Sequence, residues 1–311
     1  MNIRALTIAS MVGFSALGAD ANATPAFSGI YVFGDSLSDA GNFGAFPSAP
    51  NLPGHFSNGP TWAEDLAGLL GLPLTPSESG GTDYAWGGAT TGTPFNQPGP
   101  LGPLDIPTQV SQYTSSVAGI ADPQALYIVW GGGNDLFGGN VSNSASNMGS
   151  VISTLASAGA KNFLIPNLPD VGLTPLVAGN PAGSAFLHAL SIQFDSDLAT
   201  VLQNLQSTLP IHITKLNEFD AANQVLASPA SFGLTNVADA CFSGGIVCGD
   251  PGSFFFWDSV HPTARGHVLI SEFALAALNA SSVPVPPAVW LFGSALGGLG
   301  LIRRSTRSGS L

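Results

Sequence analysis

Tyr31-Val32-Phe33-Gly34-Asp35-Ser36-Leu37-Ser38-Asp39-Ala40-Gly41-Asn42 is the stretch on which the reading of this chain turns. The run from Gly29 to Phe33 is apolar, β-branched and aromatic, and has the length of one buried strand. It stops at Gly34, and Asp35, Ser36, Ser38 and Asp39 follow at once. Short polar side chains accept hydrogen bonds from free backbone N–H groups, so they fit a tight turn that opens a helix. Ser36 then sits just past the carboxyl end of a strand, where ligands bind in an open α/β sheet. There its hydroxyl is exposed and its N–H can face a bound oxyanion. A lone Gly-Asp-Ser serves equally as a helix cap, so the rest of the chain has to separate the two uses.

Working outward, strand-like and helix-like segments alternate. Phe43 to Gly59 is rich in Pro, Gly, Ser and Asn and reads as a long loop. Thr61 caps a helix predicted over 62–70, with Glu64 at the capping-box position. Asp83 to Trp86 is a second short run, ending at Gly87-Gly88-Ala89-Thr90. An amphipathic segment covers 108–117, and Ala125 to Trp130 has the composition of a buried strand that stops at Gly131-Gly132-Gly133-Asn134-Asp135. Helical spacing returns over 141–158, followed by a strand at 162–165 halted by Pro166-Asn167-Leu168-Pro169. A long helix over 182–209, a strand over 211–216, a helix over 219–226 and a last amphipathic helix over 263–278 complete the chain. Alternation of this kind predicts an α/β fold, a parallel sheet with helices on both faces. The polar ends of three strands, at Ser36, Gly88 and Asn134, then share one sheet edge, and that edge is where chemistry belongs.

The two ends have a different character. Met1 to Arg4 carries one positive charge, residues 5–18 are small or apolar, and Ala21-Asn22-Ala23 is a small-x-small site, the pattern of a secretory signal peptide over 1–23. Val283 to Ile302 has no charged residue, and Arg303, Arg304 and Arg307 follow. The apolar part is short against the roughly 20 residues that cross a bilayer. Its Val-Pro-x-Pro start, apolar helix and terminal arginines resemble the PEP-CTERM class of sorting tails in its VPLPA-like form, with a Pro-Pro doublet as a departure. That resemblance implies removal of 283–311 by an exosortase-like enzyme after a signal peptidase has cut the leader. It also implies delivery to the cell surface or outside, with membrane contact only through the tail before processing.

Residues 24–282 are enough for one well-buried domain. The chain has 19 acidic residues, of which only Asp20 lies outside that domain, against Lys161, Lys215 and Arg265 within it, a net charge of about −15. Such a surface is a poor partner for nucleic acid or anionic lipid. Cys241 and Cys248 stand in a Gly-rich segment, and in an exported protein that spacing reads as a local disulfide closing a loop. No second cysteine pair or nearby histidine pair completes a metal site, and none is expected.

Acyl transfer by serine needs a nucleophile, a base, an orienting acid and oxyanion donors. Five histidines are available as bases. His261 lies in Asp258-Ser259-Val260-His261-Pro262-Thr263, where the Asp258 carboxylate can accept the His261 Nδ1–H across a turn and leave Nε2 to face Ser36. His188 and His212 fall inside helix and strand patterns and read as packing or surface residues, while His55 in a loop and His267 inside the last helix have no carboxylate at comparable turn spacing.

Four blocks now line up, and together they resemble the GDSL (SGNH) hydrolase family in its lipase and esterase branch. Gly34-Asp35-Ser36-Leu37 with Gly41-Asn42 looks like the first block, which implies Ser36 as nucleophile. Asp83-Tyr84-Ala85-Trp86-Gly87-Gly88 resembles the second, implying the Gly88 N–H as an oxyanion donor; Asp83 stands where the family usually has Asn. Gly132-Gly133-Asn134-Asp135 resembles the third, implying Asn134 as a side-chain donor beside the Ser36 N–H. Asp258 and His261 match the last block. The resemblance spans 29–278 and implies a three-layer α/β/α sandwich around a mostly five-stranded parallel sheet, flavodoxin-like in form. It also implies a secreted or surface-sorted hydrolase of carboxylic esters that works through an acyl-enzyme on Ser36 and uses no cofactor. No Gly-x-Ser-x-Gly elbow occurs, which separates the chain from the α/β-hydrolases. Two other uses of this scaffold stay open: acyl transfer to an alcohol, and a catalytically silent surface or matrix-binding module. The loops at 43–59 and 95–107 are expected to shape the pocket for a small-molecule ester or lipid.

Overall fold

Four five-residue strands, two of them apolar throughout, form the frame of the domain. In the computed structural model, which describes residues 26–44, 47–92, 104–138 and 141–282, they are β1 (Ile30–Gly34), β2 (Leu126–Trp130), β3 (Asn162–Pro166) and β4 (His212–Leu216). The leader expected over 1–23, the tail expected over 283–311 and most of the loop expected over 95–107 lie outside the described residues. All four strands are parallel and lie in the order β1-β2-β3-β4. Gly34 is level with Trp130, and Pro166 with Leu216, so the strands stop along a shared carboxyl edge.

A fifth strand exists only in outline. Asp83 makes an isolated parallel bridge to Val32. Around it, Val32 N–H donates to Thr82 O (3.1 Å), Tyr84 N–H to Val32 O (2.8 Å) and Trp86 N–H to Gly34 O (3.1 Å). With this segment counted, the order in chain sequence is 2-1-3-4-5, the flavodoxin-like arrangement. Its switch point falls between β1 and β2, which carry Ser36 and Asn134 just beyond their ends.

Side-chain alternation along the strands makes the layers, because successive residues of a strand point to opposite faces. Phe33, Tyr127, Val129, Phe163 and Ile165 face one core with Tyr113, Met148, Ile152, Phe194 and Leu198. These last belong to α2 (Ile106–Ser116), α4 (Ser144–Ala158) and α5 (Pro181–Thr208). Val32, Leu126, Ile128, Trp130 and Leu164 face the other core, against Trp62, Leu66, Ile270 and Ala274. Those come from α1 (Trp62–Leu70) and α7 (Ala264–Ser282). The short α3 (Gly133–Phe137) follows β2, and α6 (Glu218–Ala227) follows β4. Two fully buried tryptophans, Trp62 and Trp130, meet edge to face at 5.3 Å, and each such ring contributes on the order of 2–3 kcal/mol on burial.

α1 begins as its sequence predicts: Thr61 and Glu64 form a reciprocal capping box. One local expectation is corrected. The Ser36 turn opens no helix. Asp35 O accepts from the N–H groups of Ser38 and Asp39, a single turn. The Asp39 carboxylate then takes the N–H groups of Gly41 (2.9 Å) and Asn42 (2.6 Å), the donors a continuing helix would need.

Beyond β4 the chain builds two small two-stranded sheets that the periodicity did not reveal. β5 (Asn236–Ala240) pairs in parallel with β8 (Phe254–Phe256), and β6 (Phe242–Ser243) with β7 (Ile246–Val247) forms a hairpin. The Cys241–Cys248 disulfide closes that hairpin, as expected. Among the described residues no helix is long and apolar enough to cross a membrane.

Candidate active site

Ser36 is held at the sheet edge by two sets of backbone bonds. Below it, Gly34 sits so close to β2 that a Cβ there would come 2.7 Å from Trp130 O, so only glycine lets the ends of β1 and β2 meet. The buried amide of Gln109 clasps Gly34 on both sides, Oε1 accepting its N–H at 2.9 Å and Nε2 donating to its carbonyl at 2.8 Å. Nothing in the spacing of α2 marked Gln109 for this role. Above it, the first two sequence blocks are stitched together by side chains. Asp39 Oδ2 accepts the Gly87 N–H (2.8 Å), Asp83 Oδ2 accepts the Ala40 N–H (2.6 Å), and Asn42 Nδ2 donates to Asp83 O and Ala85 O.

These carboxyls stand in a dry environment. Burial raises the pKa of Asp39 to about 6 despite three N–H donors, and burial raises Asp83 well above the ordinary range, with the Asp39 charge adding to it. Asp83, which replaces an asparagine of the resembled block, thus fills a structural place with both oxygens bonded to N–H groups. Burial also lifts Asp35 to about 6.

His261 reaches Ser36 from the far end of the chain. Trp257 N–H donates to His261 O at 2.7 Å, and Phe256 bridges Pro262, so 257–261 is a tight loop between β8 and α7. Inside it the Asp258 Oδ1 accepts the N–H groups of Val260 (2.9 Å) and His261 (2.8 Å), while Oδ2 meets His261 Nδ1 at 2.8 Å. His261 Nε2 then lies 2.9 Å from Ser36 Oγ. Burial opposes ionisation of Asp258, but the bond and charge of His261 and the two N–H donors outweigh it and hold the carboxyl below its ordinary value. Asp258 is thus a carboxylate, and its bond sets the ring orientation in which Nε2 faces the serine hydroxyl. The 55–58 loop clamps the arrangement. Ser57 Oγ donates to Pro262 O, Asn58 Oδ1 accepts the Ala264 N–H, and the Phe56 ring lies 5.3 Å from the imidazole.

Gly88 and Asn134 border the same cavity as Ser36. Gly88 adopts φ +81, open to glycine at no steric penalty. Asn134 lies on the first turn of α3 and gives one amide N–H to Ala89 O at 2.9 Å. Next to it, buried Asp135 accepts from Thr91 N–H (3.0 Å) and Thr91 Oγ1 (2.7 Å), tying the Gly88 loop to α3. The remaining wall is mostly apolar, with Leu37, Phe137, Leu168, Val171, Leu176 and Val260, alongside Asp35 and Thr174. Phe56 belongs to the 43–59 loop that was expected to shape the pocket and Asp135 to the third block, whereas Phe137, Leu168 and Pro169 carried no signal of a pocket wall.

The other histidines go elsewhere. His55 Nε2 pairs with Glu64 at 2.9 Å, a carboxylate nine residues on; burial lowers its pKa, but that bond and charge raise it further, and the net is upward. His188 Nδ1 pairs with Asp170 at 2.6 Å and its ring faces Phe219. His212 opens β4, at the opposite edge of the sheet from Ser36. His267 is buried, accepts the Trp62 N–H at 3.2 Å and is held neutral, its pKa pushed down to about 3 by burial and then by the charges of His261 and His55. Among the described residues no cluster of three or more His, Cys, Asp or Glu side chains is placed to hold a metal ion.

The sequence from 30 to 273 matches the profile of the GDSL-like lipase/acylhydrolase family. Similar proteins include esterase EstA of Pseudomonas aeruginosa, 30% identical over 90% of this chain and 51% of its own length. Phosphatidylcholine-sterol acyltransferase of Aeromonas hydrophila is 33% identical over 73% of this chain and 69% of its own. The chain spans about half the length of several of the curated relatives it matches. Among solved structures, a lipolytic G-D-S-L family protein from Veillonella parvula covers 79% of this chain and 96% of its own at 16% identity, with a TM-score of 0.45.

Proposed function

The chain belongs to the GDSL-like lipase/acylhydrolase family, and from that premise we propose that it hydrolyses carboxylic esters through an acyl-enzyme on Ser36. The observation that carries this reading is the unbroken chain Ser36 Oγ, His261 Nε2, His261 Nδ1, Asp258 Oδ2, with both bonds under 3 Å. His261 Nε2 takes the hydroxyl proton as Ser36 Oγ bonds to the ester carbonyl carbon. The carbonyl oxygen becomes an oxyanion and meets the N–H groups of Ser36 and Gly88 and the free amide N–H of Asn134, each donor worth roughly 3 kcal/mol in the transition state. When the ester C–O bond breaks, the proton on Nε2 passes to the departing alkoxide and an alcohol leaves. Water then attacks the acyl-enzyme, gives its proton to Nε2, and the acid departs as the proton returns to Ser36. Asp258 keeps the ring oriented and its charge stabilises the imidazolium in both halves.

Reaction of the chain with an organophosphonate tests this. Ser36 is expected to be the labelled serine, and Ser36→Ala to reduce ester turnover to background. Labelling elsewhere, or turnover surviving that substitution, refutes the proposal. Delivery of the acyl group to an alcohol uses the same groups, and product analysis with a competing alcohol measures its share. Supported by their sequence alone, residues 1–23 serve as an export leader and 283–311 as a sorting tail. An intact mass of the exported protein that still includes both segments contradicts that part.

A further inference from the structure

An oxyanion hole built from two parts of a chain works at one separation of its donors, because a misplacement of about 1 Å can lower a rate by about 100-fold. Gly88 belongs to the loop that follows the outlined strand at Asp83, and Asn134 to α3, which is only five residues long. Among the described residues no strand pairing joins these two segments, and three hydrogen bonds do. One is the bond from Asn134 Nδ2 to Ala89 O, made by the donor side chain itself. The other two form a clasp beside it. Asp135 Oδ2 accepts the Thr91 N–H at 3.0 Å, and Asp135 Oδ1 accepts from Thr91 Oγ1 at 2.7 Å.

Both ends of the clasp are buried, so water does not replace a bond lost there. Each end is also anchored from behind. On the loop side, Asn147 Nδ2 of α4 reaches Thr91 Oγ1 at 3.4 Å, and the Ile106 N–H of α2 donates to Thr90 O at 3.0 Å. On the α3 side, Gly132 has φ +112 and packs against α5 so closely that a Cβ there would lie 2.6 Å from Phe194 Cζ. The loop is held before Gly88 as well, by the Gly87 N–H on Asp39 Oδ2 at 2.8 Å. Gly88 therefore stands between two fixed points, Asp39 on one side and Asp135 on the other. Neither Thr91 nor Asp135 borders the cavity that holds Ser36, so any effect on the reaction passes through Gly88 and Asn134.

Resting on the ester-hydrolase reading, we propose that Thr91 and Asp135 are positioning residues of the oxyanion hole. Their buried clasp sets the separation between the Gly88 N–H and the Asn134 amide. The decisive bond is the one from Thr91 Oγ1, since the backbone N–H bond survives any side chain at that position.

The test replaces Thr91 in the full chain and follows hydrolysis of nitrophenyl butyrate. Thr91→Val keeps the volume and removes the hydroxyl, and Thr91→Ala removes it with no crowding. Each is expected to lower kcat by about 10-fold while KM stays within about 3-fold, because the oxyanion forms only near the transition state. Thr91→Ser restores the hydroxyl and is expected to bring kcat back to within about 3-fold of wild type. An alkyl trifluoromethyl ketone gives a second readout. Ser36 Oγ bonds to its carbonyl carbon, the hydroxyl proton passes to His261 Nε2, and the carbonyl oxygen stays in the hole as an oxyanion. Its inhibition constant is expected to rise by about 10-fold in the valine and alanine variants and to recover in the serine variant. Folded valine and alanine variants with kcat within about 3-fold of wild type overturn the inference. So do a loss confined to KM, a serine variant no better than valine, or a ketone that binds all four proteins equally. Failure of both the valine and the alanine variant to fold makes the clasp a folding element and overturns it too. In each of these cases wild type still turns over ester and an organophosphonate still labels Ser36. Absence of both in the wild-type chain overturns the hydrolase reading beneath, and this inference with it.

Discussion

Asn134→Ala separates an observed hydrogen bond to Ala89 O from the proposed oxyanion-donor role of the same side chain. A side-chain amide has two N–H groups. One is committed to Ala89 O at 2.9 Å, and Asn134 borders the cavity where an oxyanion would form. The alanine variant loses both donors. Removing an oxyanion donor raises the barrier by about 3 kcal/mol, so kcat is expected to fall by about 100-fold or more. Losing the bond to Ala89 O, neutral and part-buried, is expected to lower stability by about 1 kcal/mol, a shift of about 2–4 °C in Tm. The oxyanion exists only near the transition state, so KM should stay within about 3-fold. Steady-state kinetics on one medium-chain ester and a thermal melt of the same sample give all three numbers. A kcat within about 3-fold of wild type together with the lowered Tm would falsify the donor role and leave Asn134 as an anchor for the Gly88 loop.

Gly34→Ala brings a methyl group 2.7 Å from Trp130 O; a loss of about 1–3 kcal/mol in urea unfolding is expected, and an unchanged midpoint would contradict the close approach. Glu218 is buried with Oε2 unpartnered, and burial lifts its pKa from 4.5 to about 8. The folded state keeps a proton that the unfolded chain releases, so stability should fall as pH rises from about 4.5 to about 8. Glu218→Gln should remove about 1 kcal/mol per pH unit from that slope, and identical slopes for both proteins between pH 5 and 8 would refute it. His261→Ala should abolish turnover, whereas His188→Ala should retain most of it although Asp170 lies 2.6 Å from His188, because that pair does not face Ser36; equal losses would sink the assignment. Reducing the Cys241–Cys248 bridge should lower stability by about 2–3 kcal/mol, and a melt indifferent to reductant would argue against its bracing role.

The local elements were legible in the chain because each rests on short-range rules. Thr61 and Glu64 lie three apart, within one turn, and their capping box formed where the spacing placed it. Short apolar runs ended by Gly or Pro read as strands at 125–130 and 162–165, close to the observed Leu126–Trp130 and Asn162–Pro166, because a buried parallel strand has no polar face to show. The small β5–β8 sheet was not legible: Asn236 to Ala240 has two exposed residues and no apolar run, and its pairing partners, Phe254 for Asn236 and Phe256 for Ala240, lie far along the chain. Likewise the Ser36 turn was expected to open a helix. The Asp39 side chain decided otherwise, by competing for the N–H groups of Gly41 and Asn42.

By itself the sequence determined the residue types, their order and the parallel α/β plan, since alternation of apolar runs and amphipathic segments admits few other folds. Pairing Asp258 with His261 was also local, a matter of three residues in one turn. Only the tertiary structure brought Nε2 to within 2.9 Å of an Oγ 225 residues away, because α7 must first pack against the second core beside β1 while β8 packs on α7 through Phe255, Phe256 and Leu269. It alone put Gln109 on Gly34, Phe56 against His261, and a mostly apolar cavity at Ser36. Those contacts join segments of the chain that share no periodicity.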